Sequence, residues 1–126
     1  MIAGIGTDIV AVARFGKLYE RHGERTLDKL LAPAERPDFA KAQDPARFLA
    51  KRFAAKEAFG KALGIGVTAP ATLPNIAVMH DSLGKPALDY APALAQLLAD
   101  RRLVAHLSIS DERDYAVAFV VLEQAP

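Results

Sequence analysis

Apolar residues occupy both alternating sets of positions in the first stretch of the chain, from Ile2 to Val12. Isoleucine and valine are frequent there, and successive side chains of a strand point to opposite faces. The pattern therefore predicts a β-strand that is covered on both faces. Asp8 interrupts the apolar run, and Gly4 and Gly6 share its face. The two glycines leave room for another group to approach the carboxylate.

Apolar residues at helical spacing follow this strand. Two short helices separated by Gly23 fit the stretch from Arg14 to Leu31, because apolar residues recur there at helical intervals. A short helical piece bounded by prolines is expected between Pro33 and Asp44. A long helix is then expected between Pro45 and Gly64, since its residues favour helix and glycine terminates helices.

The long helix has two different sides. Around Glu57 its surface is small or bare apart from Phe53 and Lys61, which predicts a surface where a backbone or a ligand comes close. Without further information, Glu57 and Lys61 form an exposed ion pair one turn apart, which stabilises a helix by only ~0.3–0.5 kcal/mol. The opposite side is apolar and is expected to seat the helix on the core: Phe48, Ala55, Phe59, Ala62 and Leu63.

A hairpin and a helix are predicted next. Ile76, Val78 and His80 alternate with other residues as in a strand, and a turn over residues 81–84 joins them to a short strand around residues 87–89. A short amphipathic helix is expected over residues 92–102.

The last stretch of the chain predicts the clearest hairpin. Its first strand begins at Leu103, and its second is a strongly apolar strand over residues 115–122. His106, Ser108 and Ser110 fall on one face of the first strand. This polar stripe fits either a partly solvated sheet face or a row of hydrogen-bond donors to an anionic ligand.

Composition and charge add limits rather than a function. The chain has 126 residues, 52% of them hydrophobic and 25% charged, as in an ordinary globular protein, and we expect one domain over residues 1–126. A net charge of +1 gives no general reason to expect nucleic-acid or membrane binding. The absence of cysteine excludes disulfides, thiolate zinc sites and cysteine nucleophiles. With no long apolar run and no secretion signal, a cytoplasmic location is expected.

Three polar anomalies lie on otherwise apolar elements: Asp8, the pair of Glu57 and Lys61, and the polar stripe. Two carboxylates without a third protein ligand suit Mg²⁺, with Mn²⁺ as an alternative, because these ions take water and phosphate oxygens as further ligands. The lysine can meet a phosphate oxygen. Together these residues predict a metal-dependent phosphoryl-transfer site, although a simple salt bridge would also explain Asp8. No P-loop motif is present.

Four sequence blocks resemble those of a known enzyme family, and together they span the chain in that family's order and at its spacing. The blocks are Gly6-Thr7-Asp8-Ile9-Val10, the run RFAAKEAFGKALG from Arg52 to Gly64, Leu83-Gly84-Lys85-Pro86, and His106-Leu107-Ser108-Ile109-Ser110-Asp111. They resemble holo-acyl carrier protein synthase, the small, trimeric group of 4′-phosphopantetheinyl transferases.

The resemblance implies an α+β fold, in which an antiparallel sheet is wrapped by a long helix and short helices, and a homotrimer with a shared sheet core. It also implies a reaction. Coenzyme A binds with its pyrophosphate on Mg²⁺, and a serine hydroxyl of an apo acyl carrier protein attacks the β-phosphorus. The 4′-phosphopantetheine arm becomes attached to that serine and adenosine 3′,5′-bisphosphate leaves, a step that supports fatty acid biosynthesis.

The resemblance further implies roles for individual residues. Asp8 and Glu57 would hold the metal, Lys61 would bind phosphate, and either Glu57 through water or Lys61 would accept the serine proton. Arg14, Arg21 and Arg25 would meet an acidic helix of the carrier protein, although a mixed solvated surface also explains them. The coenzyme A site, partly supplied by a neighbouring subunit, would be lined by Arg52, Phe53, Lys61, Gly64, Lys85, Pro86, His106 and Ser108.

Three positions depart from the family pattern: Ala11, Gly60 and Leu83. Gly60 is the most unusual, because a glycine inside a helix costs ~1 kcal/mol relative to alanine. Two other functions compete with the transferase. One is hydrolysis of a nucleotide pyrophosphate at the same metal site, and the other is a carrier-binding module without activity.

Overall fold

The α+β class and the order of elements predicted from the sequence are confirmed in the computed structural model, which describes residues 1–126. Two boundaries differ, since the first strand ends at Ala11 and the helix after Pro92 ends at Asp100. None of the helices combines the length and the apolar character needed to span a bilayer. The elements are β1 (Ile2–Ala11), α1 (Val12–His22), α2 (Glu24–Leu30), α3 (Arg36–Ala40), α4 (Pro45–Leu63), β2 (Ile76–His80), β3 (Pro86–Tyr90), α5 (Pro92–Asp100), β4 (Leu103–Asp111) and β5 (Tyr115–Gln124), with short 3-10 turns at Pro33–Glu35 and Leu73–Asn75.

A three-stranded antiparallel sheet in the order β1-β5-β4 supports the long helix α4, and β2 pairs with β3 in a separate hairpin. We call the sheet face that packs on α4 the inner face. Helix and strand touch through their backbones at Gly4 and Gly6. A Cβ atom on either glycine would lie 2.0 Å from a carbonyl oxygen of α4, that of Ala62 or of Ala58 respectively. The glycines of β1 therefore set the distance between the strand and the helix.

The opposite, outer face of this sheet is exposed, so the prediction of a first strand covered on both faces is wrong for the single chain. Ile5 is 60% exposed, Ile9 65% and Phe119 45%. The residues of β1 that alternate with the two isoleucines include Gly6 and Val10, which are buried. One layer of helix covers one face only, and these apolar side chains on the other face remain in contact with solvent.

Helix α4 is buried on more sides than its pattern predicted. Ala50 and Ala54, on the side of Glu57, are as fully buried as Ala55 and Phe59 on the opposite side. The core therefore surrounds the helix, which also packs against α1 through the rings of Phe53 and Phe15, with centroids 4.9 Å apart.

Gly60 has a steric role in the loop that follows α4. A Cβ atom on Gly60 would lie 2.8 Å from the carbonyl oxygen of Gly66, and the backbone N–H of Gly66 donates to the Gly60 oxygen at 3.0 Å. The loop thus folds back onto the helix at the one position without a side chain. This contact explains the glycine that departs from the family pattern.

A buried cluster of three charged residues joins α4 to the segment before α3. Glu35 accepts hydrogen bonds from Lys56 Nζ at 2.5 Å and from Arg52 Nη1 at 3.0 Å, and all three residues are almost fully buried. The backbone N–H groups of Ala32 and Val78 donate to the same carboxylate at 2.8 and 3.0 Å. Burial lowers the pKa of Lys56 to about 8, and the charge of Glu35 opposes this shift. The sequence did not predict this cluster.

Candidate active site

The structure brings Asp8, Glu57 and Lys61 together where β1 crosses α4. Asp8 lies on the inner face of the sheet, and its Oδ1 atom accepts a hydrogen bond from Lys61 Nζ at 3.1 Å. The same ammonium group donates to the carbonyl oxygen of Thr7 at 3.0 Å. The close backbone contact at Gly6 allows these short side chains to meet across the strand and the helix. The salt bridge considered as the simple explanation of Asp8 is therefore present.

The salt bridge satisfies only half of the Asp8 carboxylate. Its other oxygen, Oδ2, is buried and has no hydrogen-bond partner. A buried carboxylate oxygen without a partner is costly, so the site suits a cation or a donor brought by a ligand. No cluster of three or more histidine, cysteine, aspartate or glutamate side chains forms a complete metal cage. Two carboxylates with open positions fit Mg²⁺ or Mn²⁺, which accept water and phosphate oxygens as further ligands.

The pKa of Glu57 reports the local charge balance. Burial raises the pKa of this carboxyl group, and the negative charge of Asp8 raises it further, whereas Lys61 and Arg14 lower it. The two carboxylates are therefore near enough to repel each other. A dication shared between them would relieve both the repulsion and the desolvation.

Arg14 connects this site to a groove between α1 and α2. Its guanidinium lies 5.2 Å from the ring centroid of Phe53 and 5.3 Å from that of Phe15, within cation–π range. A cavity of about 270 Å³ lies beside it, with Arg25 also in its wall. Arg21 lines a neighbouring cleft that also contains Arg14. The three arginines thus border adjoining depressions on one surface.

Two acidic side chains of α2 beside this surface are already paired, which leaves the surface more positive. Arg36 from α3 binds Glu24 at 2.9 Å and Asp28 at 2.5 Å. Arg14, Arg21 and Arg25 form no ion pair within the chain. We call these three side chains the basic surface.

The polar stripe lies on the other side of the sheet from Asp8. His106 and Ser108 are exposed on the outer face, where Ser108 stands opposite Phe119 and His106 contacts Glu123 Oε1 at 3.1 Å. Within one chain the stripe and the carboxylates therefore do not meet.

The remaining residues implied for coenzyme A binding are spread over the chain. Phe53 lies beside Arg14, and Gly64 ends α4 with a positive φ of 88°. Lys85 and Pro86 lie on the separate β2–β3 hairpin. Arg52 is part of the buried cluster and its side chain is only 6% exposed. It nevertheless borders a cavity of about 220 Å³ that Lys51 and His80 also line.

Comparison with known proteins identifies the same family across nearly the whole chain. The model of the 4′-phosphopantetheinyl transferase superfamily matches residues 4–120. Holo-acyl-carrier-protein synthase from Dechloromonas aromatica (strain RCB) is 67% identical over 125 residues, which are 99% of this chain and 100% of that protein. Its counterpart from Azoarcus sp. (strain BH72) is 62% identical over 123 residues, which are 98% of both chains.

Solved structures show the same fold. The crystal structure of holo-acyl-carrier-protein synthase from Neisseria meningitidis superposes with a TM-score of 0.94 at 46% identity, covering 98% of this chain and 100% of that chain. The Bacillus anthracis enzyme, in complex with CoA (3′,5′-ADP), gives a TM-score of 0.84 at 35% identity, covering 99% of each chain. The chain described above therefore belongs to the 4′-phosphopantetheinyl transferase superfamily.

Proposed function

We propose that this protein is a holo-acyl-carrier-protein synthase, which transfers the 4′-phosphopantetheine group of coenzyme A to a serine of apo acyl carrier protein. The observation that supports this function most directly is the meeting of Asp8, Glu57 and Lys61 at one point, in a chain 67% identical to a protein of that name. The complex of the Bacillus anthracis relative with CoA (3′,5′-ADP) supports coenzyme A as the donor. We take residues 1–126 as one phosphopantetheinyl transferase domain.

Asp8 and Glu57 would hold Mg²⁺, and the unpaired Oδ2 of Asp8 supports this assignment. When bound, the ion supplies positive charge to the pyrophosphate of coenzyme A. Lys61 adds a second positive charge, which stabilises the negative charge that develops as the phosphoanhydride bond breaks. These residues would orient the phosphate groups for attack and limit their mutual repulsion.

The transfer forms a bond between the serine oxygen and the β-phosphorus and breaks the bond from that phosphorus to the bridging oxygen. Adenosine 3′,5′-bisphosphate leaves with the bridging oxygen. The serine proton passes to a base, which we propose to be either Glu57 through water or Lys61. Lys61 would first have to give up a proton, because an ammonium group cannot accept one.

The basic surface would bind the carrier protein. Its arginines have no acidic partner within the chain, and Arg14 reaches from this surface to the rim of the active site. An acidic helix laid along α1 and α2 would therefore meet unpaired positive charge close to the reacting groups.

A homotrimer would complete the active site. The outer face of the sheet combines exposed apolar residues with the polar stripe, so a neighbouring chain packed there would bury Ile5 and Ile9. His106 and Ser108 of one chain could then lie at the coenzyme A site of another, which a single chain does not allow. Phe53, Gly64, Lys85 and Pro86 would supply the other contacts to coenzyme A. The cytoplasm is our proposal for the location, and the absence of cysteine fits a reducing compartment.

Intact mass spectrometry of an apo acyl carrier protein tests the function. After incubation with this protein, coenzyme A and Mg²⁺, the carrier should gain the mass of one phosphopantetheine arm, and EDTA should prevent the gain. No gain with several carriers, from a folded protein, would refute the transferase. Degradation of coenzyme A without modification of a carrier would instead favour the hydrolase. Binding of the carrier without either reaction would favour the binding module.

A further inference from the structure

Lys61 makes two contacts with β1 that a phosphate-binding lysine does not require. Its ammonium group donates to Asp8 Oδ1 at 3.1 Å and to the Thr7 carbonyl oxygen at 3.0 Å. The side chain remains 52% exposed. The ammonium group is thus held on the carboxylate by two acceptors, on a flexible stem that reaches into solvent.

We propose that Lys61 competes with a divalent cation for Asp8, and that coenzyme A removes this competition by drawing Lys61 onto its phosphates. This inference rests on the proposed function and adds to it that metal and coenzyme A bind cooperatively. Lys61 becomes a residue that couples the two ligands, in addition to binding phosphate.

The competition follows from charge and distance. The ammonium group occupies one of the two carboxylate oxygens of Asp8, and the other has no partner. A dication bound at that second oxygen would share the carboxylate with the ammonium group, and two positive charges this close repel each other even in water. Lys61 must therefore move away or weaken metal binding.

The phosphates of coenzyme A offer Lys61 another partner. A phosphate oxygen binds an ammonium group by a charge-assisted hydrogen bond, and the exposed stem of Lys61 allows the movement. Once Lys61 has turned to the phosphates, Asp8 is free for the cation. Because such coupling is reciprocal, the metal would strengthen binding of coenzyme A by the same factor.

Binding of Mn²⁺ measured from the electron paramagnetic resonance signal of the free ion tests the inference without any turnover. In the absence of coenzyme A, Lys61→Met should bind Mn²⁺ about tenfold more tightly than the wild type, because a repelling charge is removed. With saturating coenzyme A the gain should disappear or reverse, since the lysine then helps to hold the phosphates. Lys61→Arg keeps the charge and should show no gain.

Lys41→Met is the matched control, because it removes the same charge from an exposed lysine that forms no ion pair. It should leave Mn²⁺ affinity unchanged with and without coenzyme A. Asp8→Asn should abolish the binding in every case.

Two failures can be distinguished. Loss of Mn²⁺ binding in Asp8→Asn, combined with equal affinities of Lys61→Met and the wild type without coenzyme A, would overturn the competition but leave the metal site and the transferase intact. Equal Mn²⁺ binding by Asp8→Asn and the wild type would overturn both the competition and the metal site. The carrier mass assay reports on the transfer itself.

Discussion

The buried cluster of Glu35, Arg52 and Lys56 predicts a strong coupling between two residues outside the active site. We consider Glu35→Gln, Lys56→Met and the double variant. Glu35→Gln leaves both Lys56 and Arg52 buried without their carboxylate, whereas Lys56→Met leaves Glu35 paired with Arg52. The double variant removes both charges of the 2.5 Å pair and leaves Arg52 as the one buried charge of the cluster. The loss of stability in the double variant should therefore be much smaller than the sum of the losses in the two single variants.

The structure gives the order of magnitude. Breaking a buried ion pair from one side costs about 3–5 kcal/mol. A chain of 126 residues has a total stability of roughly 6–19 kcal/mol, so Glu35→Gln should lose a large part of it. Lys56→Met should lose less, because Arg52 still pairs with Glu35. The double variant should lose less than the sum of the two, by at least about 2 kcal/mol, because only Arg52 then remains without its carboxylate, rather than both Arg52 and Lys56.

Urea unfolding followed by circular dichroism, at one pH and one protein concentration, measures these differences. Lys51 on α4 and Asp111 on β4 provide a control cycle, since their 3.5 Å pair is partly exposed and should contribute less than about 1 kcal/mol. Losses below about 1 kcal/mol for both Glu35→Gln and Lys56→Met, or strictly additive effects, would refute the reasoning.

Three further substitutions test the site and its support. Gly6→Ala should lower the free energy of unfolding by about 1–3 kcal/mol, because its Cβ would lie 2.0 Å from the Ala58 oxygen; an unchanged urea midpoint would contradict this steric role. Glu57→Gln should abolish transfer yet raise the melting temperature at neutral pH, because the raised pKa means that folding disfavours the ionised carboxylate. This gain should shrink as the pH falls through the pKa of Glu57, and a lower melting temperature at neutral pH would contradict the sign. Arg14→Ala should raise KM for the carrier more than KM for coenzyme A, and equal increases would argue against its docking role.

The elements of the fold could be predicted because each has a local signal. Glycine marks the ends of helices at Gly23 and Gly64, which have φ values of 50° and 88°. Alternation marks the strands of the last hairpin, and the register of β4 and β5 agrees with it. These signals act between neighbours along the chain and do not depend on the rest of the fold.

What the sequence left open depends on contacts between distant residues. Glu35 lies in a proline-bounded segment that gave no chemical signal, and its partners Arg52 and Lys56 are 17 and 21 positions away. The apolar pattern of β1 predicted cover on both faces, but it could not distinguish cover by a helix of the same chain from cover by another molecule. At the active site the residue types were predictable. The sequence could not predict that one carboxylate oxygen of Asp8 is paired with Lys61 while the other has no partner, because this depends on the three-dimensional arrangement.

The pairing of Arg36 with Glu24 and Asp28 has a consequence for the evolution of partner choice. Arg36 need not touch a carrier protein, yet it masks two negative charges on the helix that also bears Arg25. A substitution at this one position would uncover both carboxylates and weaken the attraction for acidic partners without altering a single docking residue. The range of carriers served could thus drift between species through a residue that a list of interface contacts would omit.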